Sequence, residues 1–214
     1  VAGNQKPKLF HRDPSFIYRC ENPGRALRSA GHTVEWVHLK QLDLDVPRRV
    51  VVFHRPKASL RLATALKRLR RAGTVLIAEF DDLVFDAAYH RFSPAVLNRR
   101  SPRWLVHRQY RNHQQVLTWF DGISVATEPL AEHVGVLCPG MPVLVMPNCI
   151  HGDWLQLEVS AERGQQQPKV LSYFPGTRSH DRDFDQISGV LTRFLEERSD
   201  LRLQIIGPLG YHIA

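Results

Sequence analysis

The 214-residue sequence has no run approaching the roughly 18–20 consecutive apolar residues that cross a bilayer, although 43% of its residues are hydrophobic. That excludes a membrane-spanning helical protein. With 23% charged residues, a collagen-like fibre and a wholly disordered tail are excluded too. Cysteine is scarce: Cys20, Cys138 and Cys149 form no CxxC pair. Their odd number argues against a disulfide framework and for a reducing, cytoplasmic setting. Val1 to Pro7 lack the apolar core of a signal peptide, and the sequence opens without Met, so it reads as trimmed or processed. Lysine is sparse as well: six of the 29 basic residues, the other 23 being arginine, against 21 acids and a net charge of +8. Guanidinium forks grip carboxylates and phosphates through two parallel donors. The bias therefore fits an anionic ligand or an anionic membrane surface, but a GC-rich genome produces the same bias, and charge alone selects no partner. No GxxxxGK[ST] occurs, nor does a GxGxxG follow an early strand, so neither of two common phosphate loops is present.

What is present is an alternation of short β-branched runs with amphipathic helices. Ala26, Leu27 and Ala30 belong to a short helix ended by Gly31. Thr33 to Leu39 reads as a strand, and Val50 to Phe53 as one buried on both faces of a parallel sheet. Ala58 to Arg71 is a helix with Leu62, Leu66 and Leu69 on one stripe, followed by a strand from Thr74 to Phe80. Ser101 and Pro102 open a helix whose face is Val106, Tyr110, His113, Leu117 and Phe120. Gly122 to Val125 is a strand, Thr127-Glu128-Pro129 opens another helix, and Val143 to Met146 is a strand closed by Pro147-Asn148. Strand and helix repeated in this way predict a doubly wound parallel α/β sheet, a Rossmann-like domain over residues 1–150. Residues 151–168 read as a polar linker. A fresh unit follows with strand Val170 to Phe174, helix Arg182 to Glu197 and strand Leu201 to Ile206. Residues 169–214 thus read as the beginning of a second domain, incomplete at Ala214.

Ligands of open α/β sheets bind beyond the carboxyl ends of the strands, so the residues just after each strand carry the candidate chemistry. Pro175-Gly176-Thr177-Arg178-Ser179-His180-Asp181-Arg182-Asp183 combines a glycine, hydroxyls and a guanidinium ahead of a helix N-terminus, which suits a phosphate or diphosphate. The same run is equally a helix-capping loop. Asp81-Asp82 can bind a metal, act as a base or hydrogen-bond sugar hydroxyls, and paired acids also serve as ordinary loop caps. His54-Arg55 can supply a general base and a phosphate contact, or be a backbone-satisfied histidine beside a surface arginine. Ser124 lacks a GxSxG elbow and speaks against a serine hydrolase. Lys67-Arg68-Leu69-Arg70-Arg71 invites a nucleic-acid reading, but Leu69 lies on the apolar stripe, so the charges form the outer face of a core helix. No aromatic RNA-binding motif or helix-turn-helix spacing accompanies them, so no nucleic-acid partner is predicted. A peripheral contact with anionic lipid suits such faces better.

Four segments, in order over residues 18–184, resemble bacterial glycosyltransferases of the two-Rossmann-domain (GT-B) type, near the large retaining family that uses nucleotide sugars. They are Tyr18-Arg19 with Ala26-Leu27 and Gly31-His32-Thr33-Val34; Glu79-Phe80-Asp81-Asp82-Leu83, with Glu79 where Asp is commoner; Val125-Ala126-Thr127-Glu128-Pro129-Leu130 with Val145-Met146-Pro147-Asn148; and Tyr173-Phe174-Pro175-Gly176-Thr177 with His180 and Asp183-Phe184. The resemblance implies a sugar transferred from a nucleotide-diphosphate donor to a glycan or lipid-linked acceptor in surface polysaccharide synthesis, without a bound metal or other cofactor. It also implies a cytoplasmic enzyme, peripheral at the inner face of the membrane. The donor diphosphate falls to Gly176, Thr177 and Arg178, with His180 and Asp183 ordering that loop. The acceptor side falls to Arg55, Asp81 and Asn148, with His54 and Asp82 in the catalytic roles of positioning the acceptor hydroxyl or taking its proton. The family's Glu-x7-Glu motif does not occur before Ala214, and no glycine-rich turn is recognisable around His11 to Ile17. The alternative is therefore a noncatalytic α/β interaction module of a larger assembly.

Overall fold

The computed structural model describes residues 1–3, 6–157, 168–176 and 181–210. The chain divides into two compact units, residues 1–91 with 103–156 and residues 92–102 with 157–214. Residues 92–102 thus go with the second unit, whereas the strand pattern groups all of 1–150 together.

In the first unit the Asp13 side chain accepts from the Ser15 amide and Pro14 takes the first helical position, which opens α1 (Pro14–Phe16). A π-helical turn (Ile17–Glu21) continues it into α2 (Asn22–Ser29). Gly31 ends this helix at φ +87°, and the amides of Gly31 and His32 return to the carbonyls of Arg28 and Leu27. Only a residue tolerant of left-handed backbone closes a helix in this way.

The strand expected over Thr33–Leu39 is not a regular strand. That segment is extended, but its neighbour is the short stretch around Ala2, which pairs with His38 on one side and His54 on the other. The Ala2 amide donates to the Val37 carbonyl, and Leu39 donates to the Ala2 carbonyl. One residue gives too little ladder for a strand. Beyond Ala2 lie β1 (Val50–His54), β2 (Val75–Phe80), β3 (Gly122–Val125) and β4 (Val143–Val145), all parallel and paired in that order.

Helix α3 (Leu60–Arg71) starts two residues later than its apolar pattern implies, because the Ser59 hydroxyl accepts from the Leu62 amide and fixes the cap there. Its stripe of Leu62, Leu66 and Leu69 packs on Val51, Phe53, Leu76 and Phe80. After α4 (Pro94–Leu97), which belongs to the second unit, α5 (Arg103–Gln114) carries Val106 and His113 inward. The apolar face continues past its end, but Leu117 rides on a 3-10 turn and Phe120 on extended chain, both still buried. Helix α6 (Glu128–Leu137), with Pro129 in its first turn, adds Leu130 and Val134 to the same core.

Burial of β1 on both faces is corrected by the structure. Val51 and Phe53 are buried, whereas Val50 is 55% and Val52 36% exposed. The helical segment before β1 reaches only the carboxyl-terminal end of that second face, at His54 and Glu79. The unit is thus an α/β fold with a four-stranded parallel sheet and helical segments on both faces. The order of extended segments reverses between Ala2 and β1, which makes that edge the topological switch point.

In the second unit β5 (Lys169–Tyr173) and β6 (Leu201–Ile205) pair in parallel across α7 (Asp181–Glu196). Each lies within one residue of its expected bounds. Phe184 packs its ring 4.9 Å from that of Tyr173.

Candidate functional site

Register places His54 beside Glu79 and Glu79 beside Ser124, in one row on the sheet face opposite α3. Arg19, one helical turn after Ser15, enters this row from above. Its Nε donates to Glu79 Oε1 at 2.6 Å, with both side chains wholly buried. Its Nη1 donates to the Met146 carbonyl and, at 3.4 Å, to Asn148 Oδ1. Asn22 Nδ2 donates to the Cys149 carbonyl at 2.7 Å. The loop after β4 is therefore tied to the helical segment that covers the site.

Ser15 links two further groups. Its hydroxyl donates to Asp81 Oδ2 at 2.5 Å and lies 2.8 Å from His54 Nε2. A hydroxyl has one proton; with that proton on Asp81, His54 Nε2–H is the donor in the second contact and Nδ1 is left as the acceptor nitrogen. Arg55 Nε donates to Asp81 Oδ1 at 2.5 Å, and the Arg55 amide donates to the Glu79 carbonyl at 2.8 Å. Arg55 holds this position with φ +44°, a left-handed backbone uncommon outside glycine. Four atoms in this buried interior have no hydrogen-bond partner among the described residues: Arg19 Nη2, His54 Nδ1, Glu79 Oε2 and Ser124 Oγ.

The environment separates the titrations of these groups. Burial pulls His54 down to about 4, so its ring is neutral near pH 7. Burial raises Asp81, but hydrogen bonds from Arg55 and Ser15 outweigh it and hold the carboxyl below its ordinary value. Burial pushes Glu79 up to about 7 against the opposing pull of Arg19. Glu79 Oε2 lies 3.6 Å from His54 Nε2, and Asp81 Oδ1 lies 3.8 Å from it. One ligand atom from each of His54, Glu79 and Asp81 fits within 4.8 Å of the others, so the three could contact one cation. Arg19 and Arg55 already balance the two carboxylates, and Ser15 occupies His54 Nε2. An added dication would have to displace these contacts.

Of the residues predicted from sequence, His54, Arg55 and Asp81 come together here. Asp82 stands at the rim, its side chain 66% exposed, 3.9 Å from Arg55 Nη2, and accepting from the Leu83 amide. Asn148 is exposed and reaches the cluster only through Arg19. In the second unit Gly176 follows β5 with φ +68°, and Asp183 is exposed in the first turn of α7. Thr177, Arg178 and His180 lie outside the described residues. No family model matches the chain, and no curated protein or solved structure matches it. Sequence reasoning missed Ser15, Arg19, Glu79 and Ser124 as site residues. Asp13-Pro14 is a legible helix start, and would have put Ser15 and Arg19 on one turn-spaced face. Nothing local shows that this face meets β2.

Proposed function

We propose that the chain acts in glycosyl transfer of the GT-B type, moving a sugar from a nucleotide-diphosphate donor to a glycan or lipid-linked acceptor in surface polysaccharide synthesis at the cytoplasmic face of a membrane. The observation that carries this reading is the convergence of Ser15, His54, Glu79 and Asp81 at the sheet's switch point, where open α/β folds bind ligands. Asp81, ionised and fixed by Arg55 and Ser15, retains lone pairs for sugar hydroxyls, and exposed Asp82 stands beside it to orient the attacking hydroxyl or take its proton. The buried Arg19–Glu79 pair keeps the floor beneath them rigid. On the donor side, the turn after β5, with Gly176 in left-handed backbone, leads to the N-terminus of a 16-residue helix, an arrangement suited to a diphosphate. The order of the four sequence segments adds the family reading; nucleic acid has no part in it. The lack of any helix long and apolar enough to cross a membrane, among the described residues, is compatible with peripheral attachment.

The test is a thermal-shift screen of the full chain against UDP, GDP, dTDP and CMP sugars, followed by transfer from the stabilising donor. Stabilisation by one nucleotide class, with transfer lost at least tenfold in Asp81→Asn, is the expected result. No stabilisation by any donor overturns the reading. Binding with neither transfer nor donor hydrolysis leaves the noncatalytic interaction module in its place.

A further inference from the structure

From Ala87 to Phe120 the sequence carries six arginines and no acid, although the whole chain has 21 acids. Within the first unit this run forms α5, whose buried side is Val106 and His113. Trp104, Arg108 and Arg111 are spaced by four and three residues, which sets them together on the opposite side, and all three are exposed. Trp104 is 66% exposed. Neither arginine makes an ion pair among the described residues. The start of α3 is tied to the end of α5, since the Ala58 amide donates to the Asn112 carbonyl at 2.9 Å and His113 Nδ1 to the Pro56 carbonyl at 2.7 Å. It brings Leu60, at 89% the most exposed large apolar side chain among the described residues. It also brings exposed Arg61, which meets the Lys40 carbonyl at 3.3 Å and no carboxylate among the described residues.

The outer face of α3, which Lys67-Arg68-Leu69-Arg70-Arg71 recommends from sequence, lacks this combination. There Arg68 pairs with Asp45 and Arg70 with Asp121, and Leu66 and Leu69 are buried. Protruding apolar side chains among guanidiniums without counter-ions fit a partner that is anionic at its surface and apolar just beneath it. Guanidiniums fork phosphate oxygens, indole rings settle at headgroup level, and the hydrocarbon below accepts leucine. A nucleic acid offers phosphates to the arginines and bases to Trp104, but no apolar medium to Leu60. We propose that this face, the outer side of α5 with the start of α3, docks on an anionic lipid bilayer. Arg61, Arg108 and Arg111 pair with headgroup phosphates, and Trp104 and Leu60 enter between them. The assignment rests on the membrane-face reading above and gives that reading a surface.

The test is co-sedimentation of the full chain with vesicles of phosphatidylcholine alone and of phosphatidylcholine mixed equally with phosphatidylglycerol. Binding to the anionic vesicles only, weakened by added salt, is expected. Arg108→Glu with Arg111→Glu should weaken it at least about tenfold, whereas Lys67→Glu with Arg71→Glu, an equal change in net charge on α3, should leave it within about threefold. Phosphatidylglycerol brominated in its acyl chains should quench tryptophan emission, and Trp104→Phe should remove the quenching. No preference for anionic vesicles, equal weakening by the two charge-reversed pairs, or quenching that survives Trp104→Phe overturns the assignment. So does binding of a single-stranded RNA oligonucleotide without binding of vesicles. Vesicle binding needs neither donor nor acceptor, so its failure is distinguishable from a failure of nucleotide-sugar transfer.

Discussion

Arg19 is the largest wholly buried side chain among the described residues, and it joins three separated parts of the chain: its own helical segment, β2 through Glu79, and the loop after β4 through Met146. A buried ion pair adds little net stability when compared with a well-packed apolar pair, because both ions lose hydration. Breaking it is a different matter. Arg19→Ala leaves a buried carboxylate without its guanidinium, and the expected loss is about 3–5 kcal/mol. Arg19→Met combined with Glu79→Leu removes both charges and keeps volume, so its loss should be well under that of Arg19→Ala. Urea denaturation of the single and double variants measures this, and an equal loss in both would mean that packing, not charge pairing, holds the segment down.

Helix α2 meets the extended segment after it through an unusually close contact. A Cβ built on Gly24 would lie 2.9 Å from Cζ2 and Nε1 of Trp36. The indole cannot simply withdraw, since its Nε1 donates to the Cys20 carbonyl at 3.0 Å and the Arg28 guanidinium lies 4.1 Å over its ring. Helix propensity favours alanine over glycine by about 1 kcal/mol, whereas overpacking costs about 1–3 kcal/mol. Gly24→Ala is therefore expected to lower the melting temperature, with a change in Trp36 fluorescence. Gly135→Ala in α6, where nothing lies within 4 Å, is expected to raise it. Elements set by a few neighbouring residues were legible in advance: the stripe of α3, the Thr127-Glu128-Pro129 start of α6, and β5, α7 and β6. Thr33–Leu39 was not, because β propensity does not reveal that, among the described residues, its ladder partner is the single residue Ala2.

At the scale of the whole molecule the site depends on register between distant strands, which is why His54, Arg55 and Asp81 could be named from their positions after strands while the cluster that surrounds them could not. Its buried groups also set how stability responds to pH. His113, buried against Phe80, donates through Nδ1 to the Pro56 carbonyl at 2.7 Å. Burial pulls it down to about 3, and His54 to about 4. Between pH 6.5 and 4.5 the unfolded chain therefore takes up protons on both histidines that the folded chain does not. Glu79 acts in the opposite sense: raised to about 7, it is protonated in the folded chain over this window and ionised in the unfolded one. The three together leave the unfolded state with about one extra proton, so stability should fall by about 1 kcal/mol per pH unit on acidification through this range. His113→Asn keeps a side-chain N–H for the Pro56 carbonyl and removes one of the two opposing histidines. The remaining contributions of His54 and Glu79 then nearly cancel, and the dependence between pH 6.5 and 4.5 should flatten. Denaturation midpoints at half-unit pH intervals measure both slopes; an unchanged slope in His113→Asn would show that His113 titrates alike in the folded and unfolded chain.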